Sequence, residues 1–430
     1  MELIVNQIKI SECGKKAEFE YSCSPDIEKF FSKNAFYVEY DINISEIPYE
    51  ILIIPFLANV MPIAWFAGFN VIVEKVDRTY NNSLSEIHLE LSKYYSALNS
   101  SLNYLKPKVV IECQRNDKKQ KTAMLFSGGV DAYTTYLRHY DEELELITIK
   151  GADVKIEDDR QWGDVLAYND NTNIIKNSIK HYITSNIRDF ITFEVDKLLP
   201  DLGWWGKIQH GLALTSLTAP LAYFENYKLI YIASSYTRRE DYKFILWGSM
   251  PEIDNKVKWC SSTVVHDSAE LTRQEKINLI IDTSTDIKIK PKLRVCYNEY
   301  KNSLNCSTCE KCLRTIFAIM IKNDDPNDYG FNVSFGIFDL LNKVINNGFY
   351  SEGNKLFWFE IYTEASKPNK KFFDENPEWR NSYDLFINNL GLRLSEDLKK
   401  TNKFKKIKLN IINKYPKLFS TYLKFRRKLI

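Results

Sequence analysis

Residues 124–135 read MLFSGGVDAYTT and join an apolar β-type run to a helical run through two adjacent glycines. The run before the loop, residues 123–126, is apolar and has the length of a buried strand, and helical spacing begins at Ala132. Gly128 and Gly129 let backbone N–H groups approach a ligand, and the following helix presents unpaired N–H donors and its positive dipole end. The segment therefore predicts an anion-binding loop between a strand and a helix.

The residues around these glycines suit a polyphosphate. Ser127 adds a hydroxyl donor to the backbone donors of Gly128, Gly129 and Val130. Asp131 by itself would repel phosphate, so we expect it to hold Mg²⁺ or a backbone donor of the loop. The alternative is a glycine-rich turn without function, and the position between a strand and a helix argues against it.

Further apolar β-type runs follow this loop, with helical stretches between them. We expect strands at 123–126, 144–149, 190–195, 229–233 and 287–289, and helices at 132–139, 170–186, 205–226 and 272–281. This alternation predicts an α/β domain with a doubly wound, largely parallel sheet.

Two polar segments mark the expected domain boundaries in this chain of 430 residues. The segment QRNDKKQK at 114–121 separates an N-terminal α+β domain, residues 1–115, from the α/β domain, residues 122–322. The segment NDDPNDYG at 323–330 precedes a helical C-terminal region, residues 330–430.

Four of the eight cysteines crowd into residues 296–312 as C-x9-C-x2-C-x2-C. Cys296, Cys306, Cys309 and Cys312 supply four soft ligands, which is enough for a closed tetrahedral zinc site of structural type. An iron–sulfur cluster is the alternative, because four thiolates suit that chemistry too. Such spacing also favours a reducing, cytoplasmic environment over disulfide pairing.

The loop resembles the SGGxDS signature of the PP-loop, or N-type, ATP pyrophosphatases, which cleave ATP between the α and β phosphates. The resemblance implies an adenine nucleotide alpha hydrolase-like fold and the cofactors ATP and Mg²⁺. This sequence departs from the signature at Ala132, where the family has serine. Thr134 and Thr135 follow, and we expect them to compensate for the missing hydroxyl.

The cysteines narrow the resemblance to the 7-cyano-7-deazaguanine synthase branch, in which CxxCxxC is followed shortly by an arginine. Here these are Cys306, Cys309, Cys312 and then Arg314. The resemblance covers residues 122 to about 320. It implies bound Zn²⁺ and an adenylating ligase, in which a substrate carboxylate or carbonyl oxygen attacks the α-phosphate and a nitrogen nucleophile then displaces AMP.

The N- and C-terminal extensions are absent from that compact synthase and imply another substrate, either a small molecule or a protein terminus. Enlarged synthase-like proteins resemble components of bacterial anti-phage systems that modify a partner. Three alternatives stay open: an ATP-dependent epimerase of muramoyl-dipeptide type, a tRNA-thiolating enzyme, and a nucleotide-binding scaffold with reduced catalysis.

Other candidates follow expected strands, at the edge where open α/β sheets bind ligands. Gly151, Ala152 and Asp153 are placed to approach the adenosine, and residues 234–239 and 247–250 to form a substrate pocket or a solvated loop. Arg273 and Lys276, one helical turn apart, are candidates to neutralise pyrophosphate, together with Arg314. The segment from His266 and Asp267 onward is expected to be a loop entering that helix, and His210 to be a general base or a core histidine.

The C-terminal segment 399–430 carries twelve Lys or Arg residues and no acid, interleaved with aromatic and aliphatic residues. Such a segment is typical of one that binds an acidic partner, RNA or an acidic membrane surface, or of a solvated helix pair. The N-terminus lacks the pattern of a signal peptide, which also favours the cytoplasm.

Overall fold

The structure is a computed structural model and describes residues 1–98, 103–113, 119–200, 202–296, 304–333, 336–367, 371–375 and 379–395. The basic segment 399–430 and most of the polar segment 114–121 lie outside these residues. Eleven strands of the described chain form one sheet. They are β1 (Glu2–Ile10), β2 (Lys16–Cys23), β3 (Phe36–Tyr40), β4 (Asn70–Asp77), β5 (Leu105–Ile111), β6 (Lys121–Leu125), β7 (Leu144–Lys150), β8 (Lys180–Ser185), β9 (Tyr227–Ala233), β10 (Lys258–Trp259) and β11 (Ser262–Asp267).

Helices connect and cover these strands. They are α1 (Pro25–Glu28), α2 (Tyr49–Leu52), α3 (Ile54–Ala67), α4 (Arg78–Ser92), α5 (Val130–Arg138), α6 (Asp159–Asn171), α7 (His210–Ser216), α8 (Ala219–Glu225), α9 (Pro251–Asp254), α10 (Arg273–Ile287), α11 (Glu310–Ile321), α12 (Ile337–Asn346), α13 (Glu352–Ala365), α14 (Lys371–Asp374) and α15 (379–395). Short 3₁₀ turns at Asn173–Ile175, Phe193–Leu198 and Pro326–Tyr329 and a π turn at Trp205–Gln209 complete the chain.

The expectation of an α/β chain with a large, mostly parallel sheet is confirmed. The strand order is β10-β11-β9-β6-β7-β8-β3-β2-β1-β4-β5, and six of the ten neighbouring pairs are parallel. The run β11-β9-β6-β7-β8 is parallel throughout. Strand β3 joins it by pairing antiparallel with β8, so the N-terminal strands extend the same sheet.

The two edges of this wide sheet approach each other. The backbone N–H of Cys260, just after β10, donates to the Asp77 carboxylate at the end of β4 over 2.9 Å. Nearby, the N–H of Lys258 donates to Ser83 on α4 over 3.2 Å. The sheet therefore coils around one apolar core, and α3, which is apolar on all sides, lies inside it. This core continues across residue 115, the end of the predicted N-terminal domain.

A second apolar cluster lies between α5, α10, α11 and the C-terminal helices. Helix α13 contacts both α10 and α11, and Trp358 on α13 is fully buried. This packing brings the C-terminal region against the parallel strands that follow the glycine loop. None of the described helices is both long enough and apolar enough to cross a lipid bilayer.

Four predicted elements were wrong. Residues 190–195 are not a strand, since Phe193–Leu198 forms a 3₁₀ turn, and β8 lies earlier, inside the predicted helix 170–186. Every second residue of β8 is buried, the pattern of a strand. Residues 287–289 are not a strand either. Helix α10 ends at Ile287, and Lys288 follows it with a φ of 57°, in the left-handed region. The strand preceding α10 is instead β11, so His266 and Asp267 lie in a strand and not in a loop.

Candidate functional site

The glycine loop connects β6 to α5, as predicted. Gly128 has φ +75°, and a Cβ at this position would lie 2.7 Å from the ring of Tyr168, so both backbone conformation and space require glycine. The backbone N–H of Arg294 donates to the Gly128 carbonyl over 2.7 Å, and its guanidinium donates to the Ser127 carbonyl over 3.2 Å. Among the described residues no side chain caps the start of α5, so its first-turn N–H groups are available to an anion.

A cavity of about 360 Å³ opens beside this loop, at the carboxyl ends of β6, β7 and β9. Its floor is apolar and includes Leu125, Ile147, Ile149 and Ile232. The ionisable side chains on its walls are Asp131, Asp153, His210, Arg273, Arg294, Lys311 and Arg314. Four cations thus face two carboxylates around a partly apolar space, which suits a ligand that has both an apolar and an anionic part.

Asp131, the second residue of α5, is held by two cations from α10. One carboxylate oxygen lies 2.9 Å from Nη2 of Arg273, and the other lies 3.1 Å from Nζ of Lys276. Burial by itself raises the pKa of Asp131, but the charges of Arg273 and Lys276 outweigh it and hold the pKa below its ordinary value. Both oxygens therefore serve the protein's own cations, whereas Mg²⁺ coordination by Asp131 stays a prediction.

Lys276 lies behind the wall of the cavity and does not line it. Its side chain is fully buried and also donates to the backbone carbonyl of Ser234. Burial lowers the pKa of Lys276, and the neighbouring Arg273 charge lowers it further, while Asp131 opposes both effects. Arg273, in contrast, lines the cavity directly, so Lys276 acts on the site through Asp131.

Two arginines share one aromatic ring supplied by α13. The guanidinium carbons of Arg273 and Arg314 lie 4.7 and 4.4 Å from the centre of the Phe357 ring. Tyr236 stacks on the same ring at 5.1 Å, with an angle of 2° between the ring planes. These contacts fix the two charged groups at the cavity. Phe357 lies outside the segment that carries the family resemblance, so no sequence motif pointed to it.

Glu360, one turn further along α13, is a second unpredicted residue. Its carboxylate is buried and accepts the backbone N–H of Arg273 over 2.7 Å, while Oε1 has no hydrogen-bond partner among the described residues. Burial raises the pKa of Glu360 to about 7, although the nearby charges of Arg273, Lys276 and Arg314 oppose this rise. The group therefore changes charge near neutral pH.

Lys311 on α11 is the third residue that the sequence analysis missed. Burial lowers the pKa of Lys311, and Asp153 opposes this shift. A signal was present in the sequence, because Lys311 lies between two of the clustered cysteines and three residues before Arg314. On a helix this spacing places both cations on one face.

Several predicted residues do not reach the cavity. The hydroxyl of Thr134 donates to the carbonyl of Val130 within α5, and the hydroxyl of Thr135 donates to Asp267 over 2.8 Å. Neither threonine lines the cavity beside Ala132, which does. Gly151 has φ +98°, and a Cβ there would lie 1.8 Å from a backbone oxygen of Ser185, so this glycine serves strand packing.

Only some of the other candidates line the cavity. Ala152, Asp153, His210, Ser235, Tyr236 and Trp247 line the cavity. Arg238 and Arg239 instead pair with Glu252 and Glu275. His266 lies within β11 and contacts Asp254 over 2.7 Å, away from the cavity.

The four cysteines predicted to bind metal come together. Their sulfur atoms all lie within 4.8 Å of one another, and two of the pairs, Cys296–Cys309 and Cys306–Cys312, are 3.9 and 4.0 Å apart. A tetrahedron with metal–sulfur bonds of about 2.3 Å has an edge of about 3.8 Å. The group therefore fits a single tetrahedral metal ion, whereas a cluster of several irons would hold its thiolates farther apart.

Comparison of the chain with protein-family profiles, with curated proteins and with solved structures found no match.

Proposed function

We propose that this protein binds ATP in the cavity beside the glycine loop and splits it to AMP and pyrophosphate in order to activate a substrate oxygen. The observation that carries the proposal is that Ser127 of the loop, the first turn of α5 and four cations line one cavity with an apolar floor. The hydrogen-bond donors of Ser127, Gly128 and Gly129 suit the phosphates, and the apolar floor suits the adenosine.

The strand order supports this proposal. Numbered along the chain, the five parallel strands stand in the order 3-2-1-4-5, so the order reverses between β6 and β9. This is the doubly wound order, in which ligands bind at the reversal point outside the carboxyl ends of the strands. The cavity lies there, and we infer that the fold is of the adenine nucleotide alpha hydrolase type that the PP-loop resemblance implies.

The proposed first step is electrostatic rather than acid–base. A substrate carboxylate or carbonyl oxygen attacks the α-phosphate, the bond to the bridging oxygen breaks, and pyrophosphate leaves with the negative charge. Arg273 faces that charge, and Asp131 positions Arg273. Mg²⁺ accompanies the phosphates and shares this neutralisation. A nitrogen nucleophile then attacks the activated carbon and loses a proton to solvent, while the carbon–oxygen bond to the phosphate breaks and AMP leaves with that oxygen.

The cysteine group is proposed to hold Zn²⁺ as a closed structural site, because four thiolates leave no open position for chemistry. This arrangement also disfavours the tRNA-thiolating alternative, which needs a redox-active cysteine pair or cluster. A muramoyl-dipeptide type epimerase shares the adenylating step and differs only in the later steps of its reaction.

A substitution in the loop tests nucleotide binding. Gly128→Ala forces a side chain against Tyr168 and into an unfavourable φ, and we expect MgATP binding to fall at least about 100-fold. Isothermal titration calorimetry measures the change. The matched control is Gly163→Ala in α6, where a Cβ meets nothing within 4 Å and binding should stay unchanged. Absence of MgATP binding by the metal-loaded wild type would overturn the proposal.

The second candidate is a nucleotide-binding scaffold with reduced catalysis. Ala132 removes the family's hydroxyl, and the hydroxyls of Thr134 and Thr135 are directed elsewhere. If MgATP binds but no AMP or pyrophosphate forms even with a cellular metabolite fraction added, this candidate replaces the first. Release of pyrophosphate eliminates it.

A further inference from the structure

The cysteine group and the cavity share one helix. Cys309 is the N-cap of α11, and Cys312 lies in its first turn. Lys311, between them, and Arg314, just beyond, both line the cavity. Two of the four cysteines thus lie at the start of the same helix as two of the four cations on the cavity wall.

We propose that metal bound by the four cysteines controls polyphosphate binding in the cavity, by fixing the first turn of α11 and thereby positioning Lys311 and Arg314. The inference rests on the nucleotide cavity of the proposed function and adds a residue, Lys311, and a dependence on metal. The metal contacts no ligand in this scheme. It acts through the geometry of one helical turn.

Burial makes this positioning expensive without an external source of free energy. Arg314 is 3 % exposed and Lys311 is half-buried, so both charges are held partly away from water. Two described contacts join this turn to the C-terminal region: the Arg314 guanidinium lies on Phe357, and the neighbouring Glu310 accepts the indole N–H of Trp358 over 2.9 Å. Coordination of four thiolates supplies folding free energy at this place.

The described part of the neighbouring loop contains no strand or helix. Described residues 304–309, before α11, belong to neither element, and backbone N–H groups there point at sulfur: those of Cys306 and Cys309 donate to the sulfurs of Cys296 and Cys306 over 3.4 and 3.2 Å. N–H groups directed at sulfur stabilise thiolates, the form that binds metal. Without metal, no common ion joins the four sulfur atoms, so the first turn of α11 loses that restraint and the two cations can move.

The experiment measures binding of inorganic pyrophosphate and of MgATP by titration calorimetry, on metal-loaded protein and on protein treated with a chelator. We expect chelation to weaken pyrophosphate binding about 10- to 100-fold, the amount that loss of one charged hydrogen bond produces. The variant K311A/R314A should be weakened to a similar extent while it keeps its metal. Chelation should then weaken that variant little further, because its cations are already gone.

Lys322→Ala is the matched control, since it removes the same charge at the far end of α11, where Lys322 pairs with Asp282 over 3.0 Å outside the cavity. It should bind pyrophosphate like the wild type.

Unchanged affinity after chelation, in protein that circular dichroism shows to be folded, would overturn the inference. So would unchanged affinity of K311A/R314A, a readout that holds even if the metal-free protein unfolds. Failure of the proposed function looks different, because the metal-loaded wild type would then bind neither probe.

Discussion

Two clusters of buried charge lie at opposite ends of the same parallel strands, and they are built on different principles. At the amino ends, Lys121, Glu145, His181 and Tyr227 belong to β6, β7, β8 and β9. At the carboxyl ends lies the Asp131 cluster, with cations from α10 and α11.

The cluster at the amino ends satisfies its own charges. Glu145 accepts from Tyr227 over 2.5 Å and lies 2.8 Å from Lys121 and 3.3 Å from His181. Burial raises the pKa of Glu145, but these partners outweigh it and hold the pKa at about 2. Glu145, His181 and Glu225 have the spacing of metal ligands, yet Lys121 already contacts both carboxylates and serves as their cation.

The cluster at the carboxyl ends places more positive than negative charge on the wall of its cavity. Four cations and two carboxylates line its cavity, and Nε of Arg273 has no hydrogen-bond partner in the described part of the chain. The contrast supports our proposal that an anion binds at the carboxyl edge, whereas the amino edge satisfies its own charges. Buried charges that are paired with each other hold one arrangement of the chain. Excess charge beside a cavity lowers stability, and a bound ligand of opposite charge offsets that loss.

The largest effect is expected from Glu145→Gln. The change leaves Lys121 and His181 without their buried partner, and the free energy of unfolding should fall by about 3–5 kcal/mol. Urea denaturation at pH 7 measures it. Glu143→Gln is the control, because its pair with Lys119 is exposed and its loss should not register. Equal stabilities of the two variants would contradict the structural role of the amino-end cluster.

A somewhat smaller effect is expected from pH. Burial lowers the pKa of His181, but hydrogen bonds to Asp41 and Glu145 outweigh it and raise the pKa to about 9. The unfolded value is about 6.5, so this stabilisation is complete below about pH 6.5 and is lost as the pH rises through 9. We expect the wild type to lose up to about 3 kcal/mol over this range. His181→Asn should remove this dependence, and parallel curves of unfolding free energy against pH would argue against the assignment.

The last expected effect is the pH dependence caused by Glu360. Its pKa is raised by burial, whereas partners lower the pKa of Glu145. The folded pKa of Glu360, about 7, lies above the unfolded value, so its stabilising contribution is present below about pH 4.3 and is lost as the pH rises through 7. Glu360→Gln keeps an acceptor for the Arg273 N–H without the charge. At about pH 8 the variant should be up to about 3 kcal/mol more stable than the wild type, with no gain at about pH 4. Thermal unfolding at both pH values measures this, and a variant less stable under the alkaline condition would contradict it.

Sequence reasoning was strongest where a local pattern had one physical solution. The strand, the glycines and α5 lie where MLFSGGVDAYTT placed them, and the four cysteines converge. It failed where packing overrode the local pattern. The apolar residues near Phe190 fill an aromatic core instead of forming a strand, and β11 looked like a loop because it is short and ends in His266 and Asp267.

The site shows the same division. Asp131 and Arg273 were predicted from the loop motif and from helical spacing, and Arg314 from the family resemblance. The pairing of Asp131 with Arg273, however, joins residues 142 positions apart. Phe357 and Glu360 come from a helix that carries no motif. Only the packing of α13 on α10 and α11 placed them at the site.

The amino-acid sequence specified the elements whose cause is local: a glycine loop that needs positive φ at Gly128, and four cysteines spaced to share one ion. Tertiary packing set which charges meet. Whether a buried cation is neutralised by its neighbours or left for a ligand depends on distances across the whole fold, and no run of residues records those distances.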